Sequence, residues 1–442
     1  MLLLVASYFF YACWDWKFLL LILFSTLFNY SIAQFIAKAH SRKKLILWVG
    51  ILVNLGLLGY FKYFNFFIES FVSLFKVFGT VMNLHTLQII LPVGISFYTF
   101  QGISYIVDVY RQKNVPSHDL MNFSLFITFF PQLVAGPIER TEELLPQIAA
   151  KRTFNYDTAV DGMRMIVLGL FEKMVIADNC AQIVDQVYQN YTTESGSTLF
   201  FAAVLFSFQI YGDFCGYTHI AIGCAKLLGF DLTKNFNYPY LAKNIADFWR
   251  RWHISFSNWL RDYIYFPLGG SKKGNFIQMR NLTIVFVISG IWHGADATFV
   301  IYGFIHALLY ILYIYYRKWT KNIPSSSSAL LNNLYDWIAI GSTFIILTIA
   351  RVFFRAENYS EAMLYFKTMF TESLFTKPAI SKTLILCMFI FLFFEWLQRH
   401  KDHLLDLSSI KSKTVRYSIY FAVIFMVFYA AGETQKFIYF QF

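Results

Sequence analysis

Charged residues are scarce in this sequence. Asp, Glu, Lys and Arg make up 14% of its 442 residues, whereas 57% are hydrophobic and 20% are aromatic. A typical soluble domain is about 25% charged. So many apolar side chains cannot all be hidden in soluble cores of ordinary size. The composition excludes a disordered chain, a fibrous repeat and a secreted disulfide scaffold, and it indicates a polytopic membrane protein.

The familiar patterns of metal ligands and nucleotide-binding loops are also missing. The five cysteines are scattered and form no CxxC pair, so we interpret them as small apolar residues in helices. No Walker loop, GxGxxG, HExxH or GxSxG motif occurs. This argues against nucleotide hydrolases, dinucleotide enzymes, zinc proteases and serine hydrolases. We predict that the chain binds no metal and holds no resident cofactor.

The charges that do occur are mostly basic. Lys and Arg outnumber Asp and Glu by 37 to 26, which gives a net charge of +11. In a membrane protein such an excess marks cytoplasmic loops, because clusters of Lys and Arg resist translocation. We therefore predict that the basic runs at 38–44, 272–280 and 317–321 face the cytoplasm. The predicted location is the cell (inner, cytoplasmic) membrane, and no nucleic-acid partner is expected.

Apolar stretches recur from end to end, and about 20 apolar residues suffice for one helical crossing of the bilayer. The first clear span is 16–36. Because no polar stretch is long enough for a separate soluble domain, we predict a single integral membrane domain over 1–442. It should be all-α, with about ten to twelve transmembrane helices. The further apolar stretches lie near 45–75, 88–107, 120–135, 160–177, 198–228, 281–316, 335–354, 380–397 and 416–431.

Two stretches do not behave as ordinary spans. The first, 239–270, repeats apolar residues at helical spacing with charged residues opposite, which predicts an amphipathic helix in the interface or along a wet cavity. The second, 282–316, contains no Lys, Arg or Glu. As one straight helix it would be about 52 Å long, against about 30 Å of hydrocarbon, so the chain must turn. The two glycines that bracket His293 place the turn at 289–296, which predicts a re-entrant segment.

His293 is the sharpest candidate for chemistry. An ionisable group in membrane-embedded sequence is costly and is by default a functional hypothesis, and imidazole suits general-base work. Packing is the alternative, since Gly290 and Gly294 also fit a close helix contact. On the residues alone, His253 is better explained as a polar-face residue and His306 as packing. Arg351 and Arg355 fit either a basic anchor or an anion site.

The sequence resembles the membrane-bound O-acyltransferase (MBOAT) family, in the bacterial branch typified by the alginate O-acetylation membrane protein. The matching blocks occur in the family's order and cover most of the chain. They are LPVGISFYTF at 91–100, FFPQLVAGPI at 129–138, QIYGDFCGY at 209–217, DFWRRWHIS at 247–255 and GIWHG at 290–294.

The resemblance implies an MBOAT-like ring of tilted helices with a central funnel, whose catalytic motifs lie within 239–296. It assigns the family's invariant membrane histidine to His293 and its second functional histidine to His253. One departure stands out, because the acid that usually closes the 213–219 block is replaced here by His219.

The resemblance also implies a function, the transfer of an acyl group to an exported polysaccharide. The expected group is acetyl, and the expected donor is a cytoplasmic thioester such as acetyl-CoA. A periplasmic or extracellular acyltransferase partner would complete the transfer. Arg250 and Arg251 are candidates to attract donor phosphates, although an interface anchor explains these charges equally well. Trp252 and Asp296 complete the candidate substrate-binding residues. The alternatives are D-alanine transfer from a carrier protein to teichoic acid and a non-enzymatic glycan or lipid channel.

Overall fold

The computed structural model describes residues 1–78, 87, 89–321 and 328–438, so the predicted stretch 88–107 begins at a residue outside the description. Every described regular element is helical, as predicted. The helices are α1 (Leu2–Asp15), α2 (Leu19–Lys38), α3 (Lys43–Leu58), α4 (Phe64–Val77), α5 (Ile95–Tyr110), α6 (Leu120–Thr128), α7 (Phe130–Leu133), α8 (Thr141–Ala149), α9 (Tyr156–Leu170), α10 (Asp178–Gln189), α11 (Gly196–Leu227), α12 (Ile245–Arg251), α13 (Ile254–Leu260), α14 (Asn275–His293), α15 (Ala297–Thr320), α16 (Ala329–Arg355), α17 (Tyr359–Met369), α18 (Lys382–Leu397) and α19 (Lys413–Tyr429).

Shorter helical turns join several of these helices. Three are 3₁₀ turns, at Trp16–Phe18, Pro239–Leu241 and Glu372–Phe375. Three are π turns, at Gly59–Tyr63, Phe171–Ala177 and Arg261–Tyr265. Single π turns inside helices are frequent at functional sites.

Five helical segments of the described chain are long and apolar enough to cross a bilayer. They are Leu2–Lys38, Lys43–Val72, Gly196–Leu227, Ala297–Thr320 and Leu330–Arg355. The first is longer than the predicted span 16–36, because α1 precedes it. Other predicted stretches form shorter helices, such as α5 and α18 at 16 residues each. A membrane protein is therefore confirmed, whereas the count of ten to twelve spans stays a prediction.

The chain folds into two compact units. The first comprises 1–162 and 224–233, and the second comprises 163–223 and 234–442. In the first unit α2, α3 and α5 pack together around two buried amides. Asn54 Nδ2 donates to Asn29 Oδ1 at 2.8 Å, and Asn29 Nδ2 donates back at 3.2 Å. Amides paired in this way hold apolar helices together inside a membrane. All residues of 239–296 belong to the second unit.

In the second unit α14 and α15 form a tight helical hairpin. A Cβ on Gly290 would lie 2.1 Å from the carbonyl oxygen of Phe299, and one on Gly303 would lie 2.3 Å from that of Phe286. Only glycine therefore permits this crossing. The chain turns where the sequence predicts, because α14 ends at His293 and Asp296 caps α15 by accepting from Thr298 N at 2.9 Å.

The segment 239–270 is not the single amphipathic helix that its periodicity predicts. It divides into a 3₁₀ turn, α12, α13 and a π turn. The break falls at His253, whose φ of +44° is rare for a residue other than glycine. Backbone pairing causes it: Asn237 N donates to Arg251 O, and Ile254 N donates to Asn235 O. Of the five apolar residues that set the predicted face, Phe248, Trp252, Phe256 and Trp259 are buried and Tyr263 is half-buried.

Candidate functional site

His293 sits in an aromatic pocket at the end of α14. Its side chain is buried, and its ring centroid lies 4.8 Å from that of Trp292 and 5.0 Å from that of Phe354. Phe256 and Tyr302 are the next rings, at 6.3 Å and 6.4 Å. These apolar walls lower the local dielectric, which strengthens any electrostatic interaction made by the imidazole.

His253 is brought to the same pocket from a different segment. It too is buried, and its ring lies 4.9 Å from Phe256 and 5.6 Å from Trp292. The two histidines therefore contact the same two rings, although 40 positions separate them in the sequence. Phe214 of α11 covers His253 edge-on at 4.6 Å. The structure thus joins the two histidines that the resemblance pairs.

Hydrogen bonding identifies the nitrogen of His253 that is available for chemistry. Nδ1 lies 3.4 Å from Asn235 Oδ1, an oxygen that also accepts from Ser255 Oγ at 2.6 Å. Since this oxygen only accepts, Nδ1 carries the proton. His253 lies outside the candidate spans, and burial lowers the pKa of its imidazole to about 3, so the ring is neutral. Nε2 then presents a lone pair and has no hydrogen-bond partner among the described residues.

The four candidate substrate-binding residues separate into different roles. Arg250 is largely exposed and lies 3.3 Å from Asp247, whereas Arg251 pairs with the same carboxylate at 3.1 Å. Trp252 is buried and stacks on Phe248 beside His253. Asp296 serves as the cap of α15. Among the charged candidates Arg250, Arg251 and Asp296, only Arg250 therefore keeps a mostly exposed side chain.

A cavity of about 430 Å³ lies beside this pocket in the second unit. Its charged lining residues are Arg250 and Arg261, and its aromatic wall includes Trp249. The lining continues along α14 to Ser289, which lies one helical turn before His293. Arg250 and Arg261 each pair with a neighbouring carboxylate, Asp247 at 3.3 Å and Asp262 at 2.9 Å, and both arginines remain mostly exposed. A ligand in this cavity would meet these two guanidinium groups at one part of the wall and the histidine-bearing helix at another.

His219, which departs from the family pattern, is bonded to a carboxylate. Its Nδ1 lies 2.7 Å from Glu172 Oε2 and 3.7 Å from the sulfur of Cys215. One ligand atom from each of these residues lies within 4.8 Å of the others, an arrangement that could hold a metal ion. The hydrogen bond to Glu172 accounts for the position of Nδ1 without a metal ion. The absence of a bound metal stays a prediction.

Asn235 is a residue of this region that sequence reasoning missed. It follows α11 in a segment without periodicity, and nothing in the sequence indicates its contact with His253. His306, which the sequence explains as packing, is buried among aromatic rings, 4.4 Å from Tyr302 and 5.2 Å from Trp249 between ring centroids. These contacts fit packing, and its position in a membrane span is the sequence signal of a further role.

Known proteins resemble this chain over most of its length. Residues 111–354 match the MBOAT, membrane-bound O-acyltransferase family. The chain is 39% identical over 376 residues to the probable alginate O-acetylase AlgI of Pseudomonas aeruginosa, covering 84% of this chain and 69% of the relative. It is 38% identical over 396 residues to a peptidoglycan O-acetyltransferase of Helicobacter pylori, covering 83% and 73%. A teichoic acid D-alanyltransferase of Bacillus subtilis is 33% identical over 250 residues, covering 53% and 62%.

The matched region contains both histidines, the turn that ends α14 at His293 and the arginine-lined cavity. Two of the relatives, matched over 84% and 83% of this chain, are named for acetyl transfer. This chain belongs to the membrane-bound O-acyltransferase family and is an acyltransferase of the membrane.

Proposed function

We propose that the protein transfers an acetyl group from a cytoplasmic thioester donor, acetyl-CoA, toward a polysaccharide outside the inner membrane. The observation that carries this proposal is the cavity whose lining runs from Arg250 and Arg261 to Ser289, one turn before His293. Phosphates of a coenzyme A donor would meet the arginines, and the thioester would extend along α14. Acyltransferase family membership supports the same reading.

His293 is the proposed general base. It accepts the proton of the attacking hydroxyl as the hydroxyl oxygen adds to the thioester carbonyl carbon. When the carbon–sulfur bond breaks, the imidazolium returns the proton to the leaving thiolate, so the ring ends the cycle neutral. His253 supports the reaction without being the base, since its neutral Nε2 orients a hydroxyl group by accepting its hydrogen bond.

The proposed acceptor is an exported polysaccharide, reached through a periplasmic or extracellular partner that completes the transfer. The names of the relatives include alginate and peptidoglycan, both acceptors of this class. Mass analysis of surface glycan from cells with and without the chain tests this step. We expect acetyl esters to disappear from one glycan in the deletion strain and to return with the wild-type chain. An unchanged acetylation profile would contradict the proposed acceptor.

The donor is tested separately, with the purified chain in proteoliposomes. With a soluble oligosaccharide supplied as the hydroxyl acceptor, acetyl-CoA labelled in the acetyl group should pass its label to the acceptor as an ester and release free coenzyme A, at a rate that depends on the wild-type chain. His293→Ala proteoliposomes are the matched control. A wild-type rate no higher than this control would contradict acetyl-CoA as the donor.

D-alanine transfer from a carrier protein to teichoic acid is the second candidate. The relative that favours it covers only 53% of this chain. This reaction needs a surface that docks a carrier protein, in place of coenzyme A contacts. Transfer in the proteoliposome assay with D-alanyl carrier protein, and none with acetyl-CoA, would favour this second candidate. The channel alternative is not retained, because the family consists of acyltransferases.

We also propose that the whole chain acts as one membrane domain with ten to twelve crossings. The five long spans would then be joined by shorter apolar helices such as α5 and α18, inserted at a tilt or part-way. Cysteine accessibility scanned along these two helices tests the count.

A further inference from the structure

Two arginines on α16 have opposite surroundings. Arg355 donates to Asp185 Oδ1 at 2.7 Å, and its guanidinium also lies over the ring of Tyr188. Arg351, one helical turn earlier, is 1% exposed and forms no ion pair with any described residue. Its Nη1 and Nη2 form no hydrogen bond of ordinary geometry with those residues, although the hydroxyl of Tyr302 interacts with the guanidinium. A buried charge without a carboxylate partner is costly and marks a functional position within a membrane span.

Aromatic rings cover Arg351 without satisfying its N–H groups. The guanidinium carbon lies 5.1 Å from the ring centroid of Tyr240, 5.1 Å from that of Trp252 and 5.6 Å from that of Phe248. Such contacts stabilise the cation through the ring faces. They leave the forked N–H donors, which lie in the guanidinium plane, in need of oxygen acceptors.

His306, which interacts electrostatically with Arg351, and Trp249, which contacts His306, add hydrogen-bond donors and no negative charge. Both ring nitrogens of His306 and Nε1 of Trp249 are buried without a hydrogen-bond partner among the described residues. The rings of His306 and Trp249 are 5.2 Å apart, and Tyr302, which contacts His306, also interacts with Arg351. An arginine and a tryptophan can only donate, and a histidine can donate. Their common complement is a negatively charged or strongly polarised oxygen.

This cluster adjoins both parts of the candidate site. Trp249 forms part of the wall of the cavity lined by Arg250. On the other side, Tyr302 contacts the ring of His293, and so does Phe354, which lies three residues after Arg351. A group bound at the cluster would therefore lie between the cavity and the pocket of His293.

We propose that Arg351, His306 and Trp249 form a buried oxyanion-binding site that receives an anionic oxygen of the acyl donor. The proposal rests on the proposed transfer from a thioester. Two oxygens of such a donor have the required chemistry, a phosphate oxygen and the carbonyl oxygen that gains charge as the thioester reacts.

The test compares Arg351→Met with Arg355→Met, its matched control on the same helix, in the proteoliposome assay with two donors. Acetyl-CoA carries phosphates, and acetyl-pantetheine carries none. We expect Arg351→Met to lower kcat/KM for acetyl-CoA by about 10- to 100-fold, the loss typical of a hydrogen bond to a charged group. Arg355→Met should preserve the wild-type ratio of kcat/KM between the donors, although it loses an ion pair.

The second donor identifies the oxygen. An equal loss with acetyl-pantetheine assigns the site to the thioester carbonyl, and a loss confined to acetyl-CoA assigns it to a phosphate. Trp249→Phe, which keeps the ring and removes the donor, should give a smaller loss with the same donor dependence. Wild-type kcat/KM in Arg351→Met with both donors would overturn the site. If Arg351→Met does not fold, Trp249→Phe decides, and wild-type kcat/KM with both donors in that variant overturns the proposal.

This outcome is distinguishable from failure of the proposed function. A wild-type chain that releases no thiol from either donor would contradict the proposed function, transfer from a thioester. An active wild-type chain with an equally active Arg351→Met would remove only the oxyanion site.

Discussion

The side-chain oxygen of Asn235 lies 3.4 Å from Nδ1 of His253 and so fixes the tautomer of that ring. Asn235 is itself fully buried and held by Ser255 Oγ at 2.6 Å. The left-handed backbone of His253, at φ +44°, turns the imidazole toward it. Strained backbone conformations of this kind persist where surrounding contacts impose them, and they cluster at active sites.

His253→Gln should retain more activity than His253→Ala. Glutamine keeps an oxygen that can accept a hydrogen bond from a bound hydroxyl, whereas alanine removes the polar group and leaves a void. Initial rates of acetyl transfer at equal amounts of folded protein measure the difference. Equal loss in both variants would assign His253 to proton transfer, since an amide cannot replace an imidazole there.

His293→Ala should abolish acetyl transfer while the protein stays folded and membrane-inserted. Loss of a general base lowers rates by about 10²–10⁴-fold. The measurement is glycan acetylation in cells complemented with the variant, with membrane content determined by immunoblot. Near-normal acetylation by a well-expressed His293→Ala chain would refute the assignment of the base.

The turn at His293 could be predicted because its causes are local. A run without Lys, Arg or Glu that is too long for one crossing, interrupted by Gly290 and Gly294, leaves few alternatives. The break at His253 could not be predicted, because the periodicity of 239–270 is continuous. The structure breaks this helix by pairing its backbone with residues 235 and 237. Such pairing is a tertiary effect that overrides local helical periodicity.

The resemblance pairs His293 and His253 as functional histidines, and the structure brings them together through shared aromatic rings. Their roles in the reaction stay predictions. Arg351 and Arg355 differ in pairing because Arg355 donates to Asp185, which lies about 170 residues away in sequence. No pattern around the two arginines distinguishes the one that has a carboxylate partner.

Gly290→Ala should destabilise the protein, whereas Gly341→Ala should not. A Cβ at 290 would meet the backbone oxygen of Phe299 at 2.1 Å and force α14 and α15 apart. Overpacking of this kind costs about 1–3 kcal/mol or more. Gly341, in α16, has open space around its Cβ position, and alanine there should add up to about 1 kcal/mol of helix stability.

Thermal unfolding in detergent compares the two alanine variants with the wild-type chain. Gly341→Ala is the matched control for adding one methyl group to a helix. Equal melting temperatures for the two variants would show that the hairpin relaxes around the added methyl group.

Glu139→Gln should remove a pH dependence of stability. Glu139 lies outside the candidate spans, and burial raises the pKa of its carboxyl from 4.5 to about 8, although it accepts hydrogen bonds from Thr233. The folded state therefore binds more protons than the unfolded state between about pH 4.5 and 8. Its contribution to stability is full below pH 4.5 and is lost as the pH rises through 8.

Glutamine does not titrate, so the variant should lose this slope and exceed the wild type in stability above pH 8. Melting temperatures between pH 5 and 9 provide the measurement. Parallel curves for the two proteins would show that Glu139 is already ionised in the folded state.

The last prediction concerns the side of the membrane that the donor reaches. The basic runs at 38–44, 272–280 and 317–321 should all be cytoplasmic, because such clusters favour the anionic inner leaflet and resist translocation. α14 would then enter from that side and carry His293 inward, and α15 would return to it. With 19 residues, α14 is about 28 Å long, and its apolar part, 282–292, accounts for about 16 Å of that length.

Lys273→Cys, in a background without the native cysteines, tests this arrangement, since residue 273 is exposed just before α14. In intact cells we expect labelling by membrane-permeant maleimides and none by impermeant ones. Permeabilised cells, where both reagents should react, control for accessibility. If an impermeant reagent labels intact cells, α14 enters from the outside. A donor made in the cytoplasm could then not enter the cavity beside Arg250 from its own side.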